Sequence, residues 1–374
     1  MLSIRNEELV IVRQQIEFIS FSCHCLSCPF SPTTLYKRIL YRTMKTMDGN
    51  ISSMTRHCFF LVYDSKRILL ARDAYIAAAV INCITLLPAI ILNVLLMMAM
   101  YRSPAFRKPS TLLLYSLSSS DLLIGLIVQP AYIAKKVGEL TDNFNLYCQN
   151  AFLIYNFGKV LTGVSFLTLT LISVDRYLLV TSGIDYPTKV TNYRVGFVIA
   201  LSWLFMIAII ITQHFIPNRA TVFILIALLI GSCVAITTIC YVMALHKIRR
   251  QKNAIRLASG PRSQLQANTA RYKKFIITMI WVFVVFLLCY TPYMVATTLA
   301  AVIGETASIW SAESLCGVIA YSHSCLNPAI LFWRMAEIRN AGKNILMPKS
   351  KIKLKDQSQI SIPDKTVETI PKFG

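Results

Sequence analysis

The sequence predicts an all-α membrane protein, a seven-transmembrane helix bundle with a short amphipathic eighth helix. Three observations lead there. The 374-residue chain is 55% hydrophobic and only 15% charged, whereas a soluble chain of this length carries more charge. Its mean hydropathy is +0.57. Its apolar residues arrive in seven blocks, each near the roughly 20 helical residues that cross a hydrocarbon core. A bilayer offers no water to open backbone, so such blocks can only be helices packed side by side.

Residues 1–73 form an N-terminal segment, expected to be extracellular. Its early apolar stretch contains Glu7, Glu8, Arg13 and Glu17 and so is no signal peptide. Met44 and Met47 precede Asn50-Ile51-Ser52, an acceptor triplet that marks Asn50 for N-glycosylation. Translation is expected to start near one of these methionines, leaving 1–43 as an extension. Cys23, Cys25 and Cys28 cluster with His24, yet no second ligand group follows at zinc spacing, so no metal is expected.

The membrane domain, 74–333, holds spans at about 74–101, 110–134, 146–174, 195–213, 220–244, 275–301 and 309–333. Short loops make successive helices antiparallel neighbours. From 334 to 374 come helix 8 and a cytoplasmic tail. Phe332 to Arg339 is amphipathic and basic and is expected to lie along the inner leaflet. With no cysteine after Cys325, no palmitoyl anchor is expected in the tail.

Loop charge sets the orientation. The 245–274 loop holds nine Lys or Arg and no acid, and the tail from Arg334 has nine basic residues against four acids. The opposite loops are sparse: Lys135 and Lys136 face Glu139 and Asp142, Arg219 stands alone, and Glu305 is the last. The positive-inside rule then places the N-terminus outside and the C-terminus in the cytosol. Residues 1–73 oppose this with ten basic residues against six acids; the inner loops and tail, which agree with one another, outweigh them. The net charge of +21 is therefore loop charge beside lipid, without the interleaved aromatics of a nucleic-acid platform.

A polar group in the spans is costly and needs a reason. Asp121 lies mid-span, with Asn93 and Asn327 at comparable depth in spans one and seven. Ser165 precedes Arg176 by 11 residues, about three turns, so both face inward. An aspartate with converging oxygens can hold a monovalent cation such as sodium. The same atoms can glue helices by hydrogen bonds, and both readings can hold at once. No other cofactor is expected. Asp175-Arg176-Tyr177 ends span three at its inner mouth, where the arginine can pair with Asp175 and then release toward a partner.

Asn93 in span one, Leu117 to Asp121 in span two, Asp175-Arg176-Tyr177 in span three and Trp203 in span four form an ordered series. Tyr241, Phe286 to Tyr293, and Ser324-Cys325-Leu326-Asn327-Pro328 continue it in spans five to seven. In this order the motifs resemble the rhodopsin-like (class A) family of G-protein-coupled receptors, over roughly residues 74–346. The resemblance implies a plasma-membrane receptor and no enzyme. It would bind an extracellular ligand between the helices and activate a heterotrimeric G protein, with arrestin as a further partner. It assigns coupling to Asp175, Arg176, Tyr177 and Tyr241, and a sodium or polar network to Asn93, Asp121, Ser165, His323, Ser324 and Asn327. The switch falls to Tyr290, Pro292 and Pro328, the prolines removing backbone hydrogen bonds at hinges.

The chain also departs from the family. The tyrosine after Asn-Pro is replaced in Asn327-Pro328-Ala329-Ile330-Leu331, Tyr290 replaces a tryptophan, and His323 replaces an asparagine. Tyr272-Lys273-Lys274 precedes span six where an acid usually latches the arginine, so raised basal activity is expected. The outer loop after span four is short and lacks cysteine. Cys148 thus loses its usual partner, leaving Cys58 as the speculative one. With no proline in span five, these traits resemble the melanocortin, cannabinoid, lysophospholipid and adenosine receptor group.

The ligand is narrowed by exclusion. No lysine lies between Lys274 and Lys343, so no retinal Schiff base can form on span seven, and Gly158 stands where amine receptors carry an aspartate. Lys159 could meet an anionic group, snorkel, or pair with Glu313. Tyr155, Gly158, Lys159, Thr162, Tyr293, Met294 and Glu313 are the expected cavity lining, for an anionic lipid, a nucleoside or a peptide. A transporter would show repeats or broken helices in matching halves, which are absent from the sequence. His323 and Ser324 face different ways and make no catalytic dyad.

Overall fold

The computed structural model describes residues 55–58, 61–215, 219–257, 263–304 and 306–346. The Asn50 triplet, Met44, Met47, the 23–28 cysteine cluster, Glu305 and the tail beyond 346 lie outside the described residues. Among the described residues seven helices are long and apolar enough to cross a membrane. They are α1 (Arg72–Arg102), α2 (Thr111–Leu140) and α3, which runs unbroken through Phe144–Leu153, Ile154–Gly158 and Lys159–Ser182. Then follow α4 (Asn192–Gln213), α5 (Arg219–Leu257), α6 (Ser263–Ile303) and α7 (Ala307–Arg334). A shorter α8 (Ala336–Leu346) follows, with Ile338 fully buried.

Several helices run past the bounds read from the sequence, α3 among them, which continues beyond 174 to Ser182. The basic 245–274 stretch is mostly not loop, because α5 continues to Leu257 and α6 begins at Ser263. Lysine and arginine are good helix formers, and the first breakers are Gly260-Pro261. Likewise α2 does not end at 134 but runs to Leu140, so Lys135, Lys136 and Glu139 are helix residues and not loop charges. At the other turn Gly304 has φ 96°, a left-handed stop after α6 that glycine adopts without strain.

Both α2 and α3 contain one wide turn of π type, at Ile124–Val128 and Ile154–Gly158. The first precedes Pro130, whose ring lacks an N–H and crowds an ordinary preceding turn. Pro88, Pro292 and Pro328 lie inside α1, α6 and α7.

At the end of the bundle that loop charge assigns to the outside, called the outer end below, an antiparallel hairpin pairs β1 (Thr55–Cys58) with β2 (Leu61–Asp64) in the register Cys58↔Leu61. Cys58 is disulfide-bonded to Cys148 near the start of α3. The speculative partner is thus the one the structure provides, and Cys148 does not stand alone. The buried side chains split accordingly. A large inner cluster includes Leu96, Leu117, Leu169, Met279, Phe286 and Leu331. A smaller outer cluster joins Cys58, Tyr63 and Ile68 to Tyr75, Tyr147 and Trp310.

Candidate functional site

Three polar layers stack along α3. At the inner mouth Arg176 pairs through Nη2 with Asp175 Oδ2. The other carboxylate oxygen accepts from Tyr186 Oη at 2.6 Å, on the short helix Tyr186–Lys189 that follows α3. The guanidinium lies 4.5 Å from the ring centroid of Phe275 on α6, within cation–π range. Tyr241 on α5 is 5% exposed and its hydroxyl is buried without a hydrogen bond, as is Arg176 Nε. Tyr177 is half-buried beside them.

The middle layer centres on Asp121, which is fully buried. Its Oδ1 accepts from Ser165 Oγ at 3.1 Å and its Oδ2 from Asn327 Nδ2 at 2.8 Å. Ser165 also meets Ser120 at 2.8 Å. Asn93 Nδ2 donates to the Ser324 carbonyl at 2.8 Å, tying α1 to α7. The Ser324 hydroxyl instead donates to Tyr321 O in its own helix. Asn93, Asp121, Ser165, His323, Ser324 and Asn327 are all buried, and the direct bonds to Asp121 come from Ser165 and Asn327.

His323 stands beside this layer. Its Nδ1 contacts the Ala320 carbonyl, and its Nε2 lies 3.4 Å from Asp121 Oδ1, buried without a hydrogen bond. The Oδ1 atoms of Asn93 and Asn327 are buried acceptors without a donor. The Asp121 carboxylate, with Ser165, Asn327 and His323 around it, makes a buried polar set that could take a monovalent cation or water.

The outer layer separates residues that the sequence grouped. Gly158 meets α7: a Cβ there would lie 3.0 Å from the Tyr321 hydroxyl and 3.6 Å from Val128. Tyr293, Tyr290 and Gly317 belong to the same tyrosine-lined region; Tyr132 and Tyr321 pack edge to face at 5.8 Å, and Tyr290 and Tyr293 are 6.0 Å apart. Lys159 turns toward α4 instead. Its Nζ donates to Gln213 Oε1 at 3.3 Å and sits 3.4 Å from the Tyr155 ring centroid. Tyr155 reaches the same oxygen at 3.5 Å. Thr162 is buried, and Met294 and Glu313 are half-buried.

Sequence reasoning missed a buried, multiply bonded cation at the outer end. Lys136 is 2% exposed; it pairs with Glu139 at 2.8 Å, donates to Ser314 Oγ at 2.8 Å, and caps the Tyr75 ring at 3.4 Å. Tyr132 donates to the Ser314 carbonyl at 2.7 Å. The available signal was the Lys-to-Glu spacing of three and four residues, which marks one helix face. Phe275 and Tyr186 at the inner mouth were also missed, as neither belongs to a recognisable motif.

A family model described as 7 transmembrane receptor (rhodopsin family) matches residues 92–222 and 210–331. Trace amine-associated receptor 8b of Rattus norvegicus is 27% identical over 292 residues, 69% of this chain and 82% of that protein. The high-affinity lysophosphatidic acid receptor of Xenopus laevis is 24% identical over 306 residues, covering 70% and 80%. Among solved structures, squid rhodopsin superposes with a TM-score of 0.63 at 16% identity, over 74% of this chain and 86% of that one.

Proposed function

From the premise that this chain belongs to the rhodopsin family of seven-transmembrane receptors, we propose that it reads an extracellular ligand among α2, α3, α6 and α7. It passes the signal to a heterotrimeric G protein at Asp175-Arg176-Tyr177. The chain is a multi-pass receptor and not an enzyme. In this reading the N-terminus is extracellular, the tail cytosolic, and the membrane the plasma membrane. Arrestin is a second inner partner.

The observation that carries the reading is the polar column along α3. Gly158 touches Tyr321 of α7, Ser165 binds Asp121, and Arg176 meets Phe275 of α6. One rigid helix therefore touches the outer region, the central network and the inner mouth. Pro292 lies between Tyr290 and Tyr293 of α6, 17 residues outward of Phe275, where a missing backbone hydrogen bond lets the inner half swing. Asp121, Ser165, Asn327 and His323 would hold a monovalent cation, which when bound neutralises the carboxylate and stiffens the α2–α3–α7 contact.

The ligand reading favours an anionic lipid, a nucleoside or a peptide over a simple amine. Trace-amine and lysophosphatidic acid receptors both stand among the relatives by name. Position 158, however, offers no carboxylate, and the Tyr321 hydroxyl lies against it. A library of these chemical classes, screened on cells carrying a panel of Gα subtypes, tests this. A responding ligand that still signals through Arg176→Ala at native strength would defeat the assignment of the inner mouth.

A further inference from the structure

Arg271, on the inner extension of α6, forms an ion pair with Glu337 in the first turn of α8, Nη2 to Oε1 at 2.8 Å. It is the ion pair the structure places between these two helices among the described residues. Glu337 suits a helix N-terminus by itself, so its place in the first turn needs no arginine. The reach of a long side chain from α6 to that carboxylate is the informative part. The pair's side chains are 53% and 41% exposed, which makes it weak alone and easily broken. A switch contact needs both properties.

A second contact acts on the same half-helix. Phe275 lies one turn along α6 from Arg271 and takes the Arg176 guanidinium over its ring at 4.5 Å. Position 272 on α6 is a tyrosine, not an acid, so Arg176 has an aromatic face on α6 instead of a carboxylate.

We propose that α8 acts as a restraint on α6: the Arg271–Glu337 pair, together with Arg176 on Phe275, clasps the inner end of α6 against α3 and α8 and opposes activation. The proposal rests on the coupling role given above to the inner mouth and on the Pro292 hinge. Arg271 is 21 residues inward of Pro292, about 31 Å along a helix rising 1.5 Å per residue. A swing of about 10° at the proline then carries it about 5 Å, enough to part a bridge of 2.8 Å. Rearrangement at α6 and loss of the clasp are thus the same event. The absence of an acid at position 272 does not leave the inner end unlatched, since the restraint is moved to α8 and to an aromatic ring.

The test uses the full-length receptor. Fluorophores are introduced by amber suppression at the exposed residues Lys273 and Asn340, and the α6–α8 distance is read in nanodiscs by energy transfer. Basal activation of each Gα subtype is measured in cells in parallel. Arg271→Glu and Glu337→Arg are each expected to lengthen the distance and raise basal activation about two- to fivefold, the range of an exposed pair. Phe275→Ala should raise it about five- to tenfold. The exchanged pair, Arg271→Glu with Glu337→Arg, should bring distance and activity back toward native. Unchanged distances in the single variants, or an exchanged pair no closer to native than either single, would overturn the clasp. Distances that respond while no variant activates any Gα would leave the clasp standing and sink the coupling reading.

Discussion

Two tyrosine hydroxyls donate to aspartates at opposite ends of the bundle. Tyr63 reaches Asp142 at 2.7 Å outside, and Tyr186 reaches Asp175 at 2.6 Å inside. The chemistry is the same, but the partners are 79 residues apart outside and 11 inside. The outer end is stitched by distant segments: a hairpin, a disulfide and a lysine that joins α2 to α7. The inner end is held by near neighbours around Arg176 and by exposed or stacking contacts to α6. Distant stitches resist rearrangement, whereas local and exposed contacts give way singly. On the function proposed above, the outer end accordingly holds its shape and the inner end changes it.

The largest test of that contrast is the disulfide. Its partners are 90 residues apart; chain entropy alone gives about 4–5 kcal/mol for a loop near that length. The bilayer already confines α1 to α3, so Cys58→Ser should cost about 2–4 kcal/mol. Thermal unfolding of purified protein in nanodiscs measures it. Cys148→Ser should cost the same, and the double variant no more than either. Additive losses would mean the two cysteines act separately.

Glycines give the next comparison. At Gly138 in α2 a Cβ would lie 2.7 Å from Tyr147 N and 3.2 Å from both Asn143 O and Tyr147 Cα. All three atoms are backbone at the start of α3, so Gly138→Ala should cost about 2–3 kcal/mol. At the inner end, Gly342→Ala would meet Phe332 Cε1 at 2.9 Å, a ring that can turn aside, and should cost under about 1 kcal/mol. Equal melting temperatures for the two variants would erase the distinction. Between the ends, Asp121→Leu removes the acceptor of Ser165 and Asn327. About 1–2 kcal/mol is expected, as interhelical hydrogen bonds in bilayers are modest. Native protein should also gain thermal stability on exchanging an organic cation for sodium, and Asp121→Leu should not.

What the sequence made legible follows the same divide. Composition and block length gave the class, because a bilayer permits so few architectures. The central layer was readable since Asn93, Asp121, Ser165 and Asn327 are polar residues at mid-depth, where lipid tolerates none without partners. The outer end was not. A hydropathy reading ends a span at its first charges, so Lys136 and Glu139 were read as loop although they neutralise each other inside the bundle. The bond between Cys58 and Cys148 was legible only as the speculative pairing left when the short loop after span four offered no cysteine, and the wide turns at Ile124–Val128 and Ile154–Gly158 leave no period shift clear enough to see. The extension of α5 to Leu257 was hidden for the opposite reason: charge suggested loop, while the residues themselves favour helix.

The smallest effect separates the two ends most cleanly. Tyr63→Phe keeps the ring between Phe144 and Tyr147, whose centroids lie 5.7 and 5.0 Å away, and deletes the bond to Asp142. Asp142 adopts φ 59°, a left-handed turn that aspartate tolerates, and Tyr63 pins that turn to the hairpin. About 1 kcal/mol should be lost, seen as a lower melting temperature with unchanged basal signalling. Tyr186→Phe removes a similar bond, yet Asp175 keeps Arg176 as a partner, so less stability should be lost. Its effect should surface in basal G-protein activation, because the carboxylate that orients Arg176 loses one of its two anchors. If Tyr63→Phe altered signalling and Tyr186→Phe altered only melting, the division between a fixed outer end and a changeable inner end would be the wrong way round.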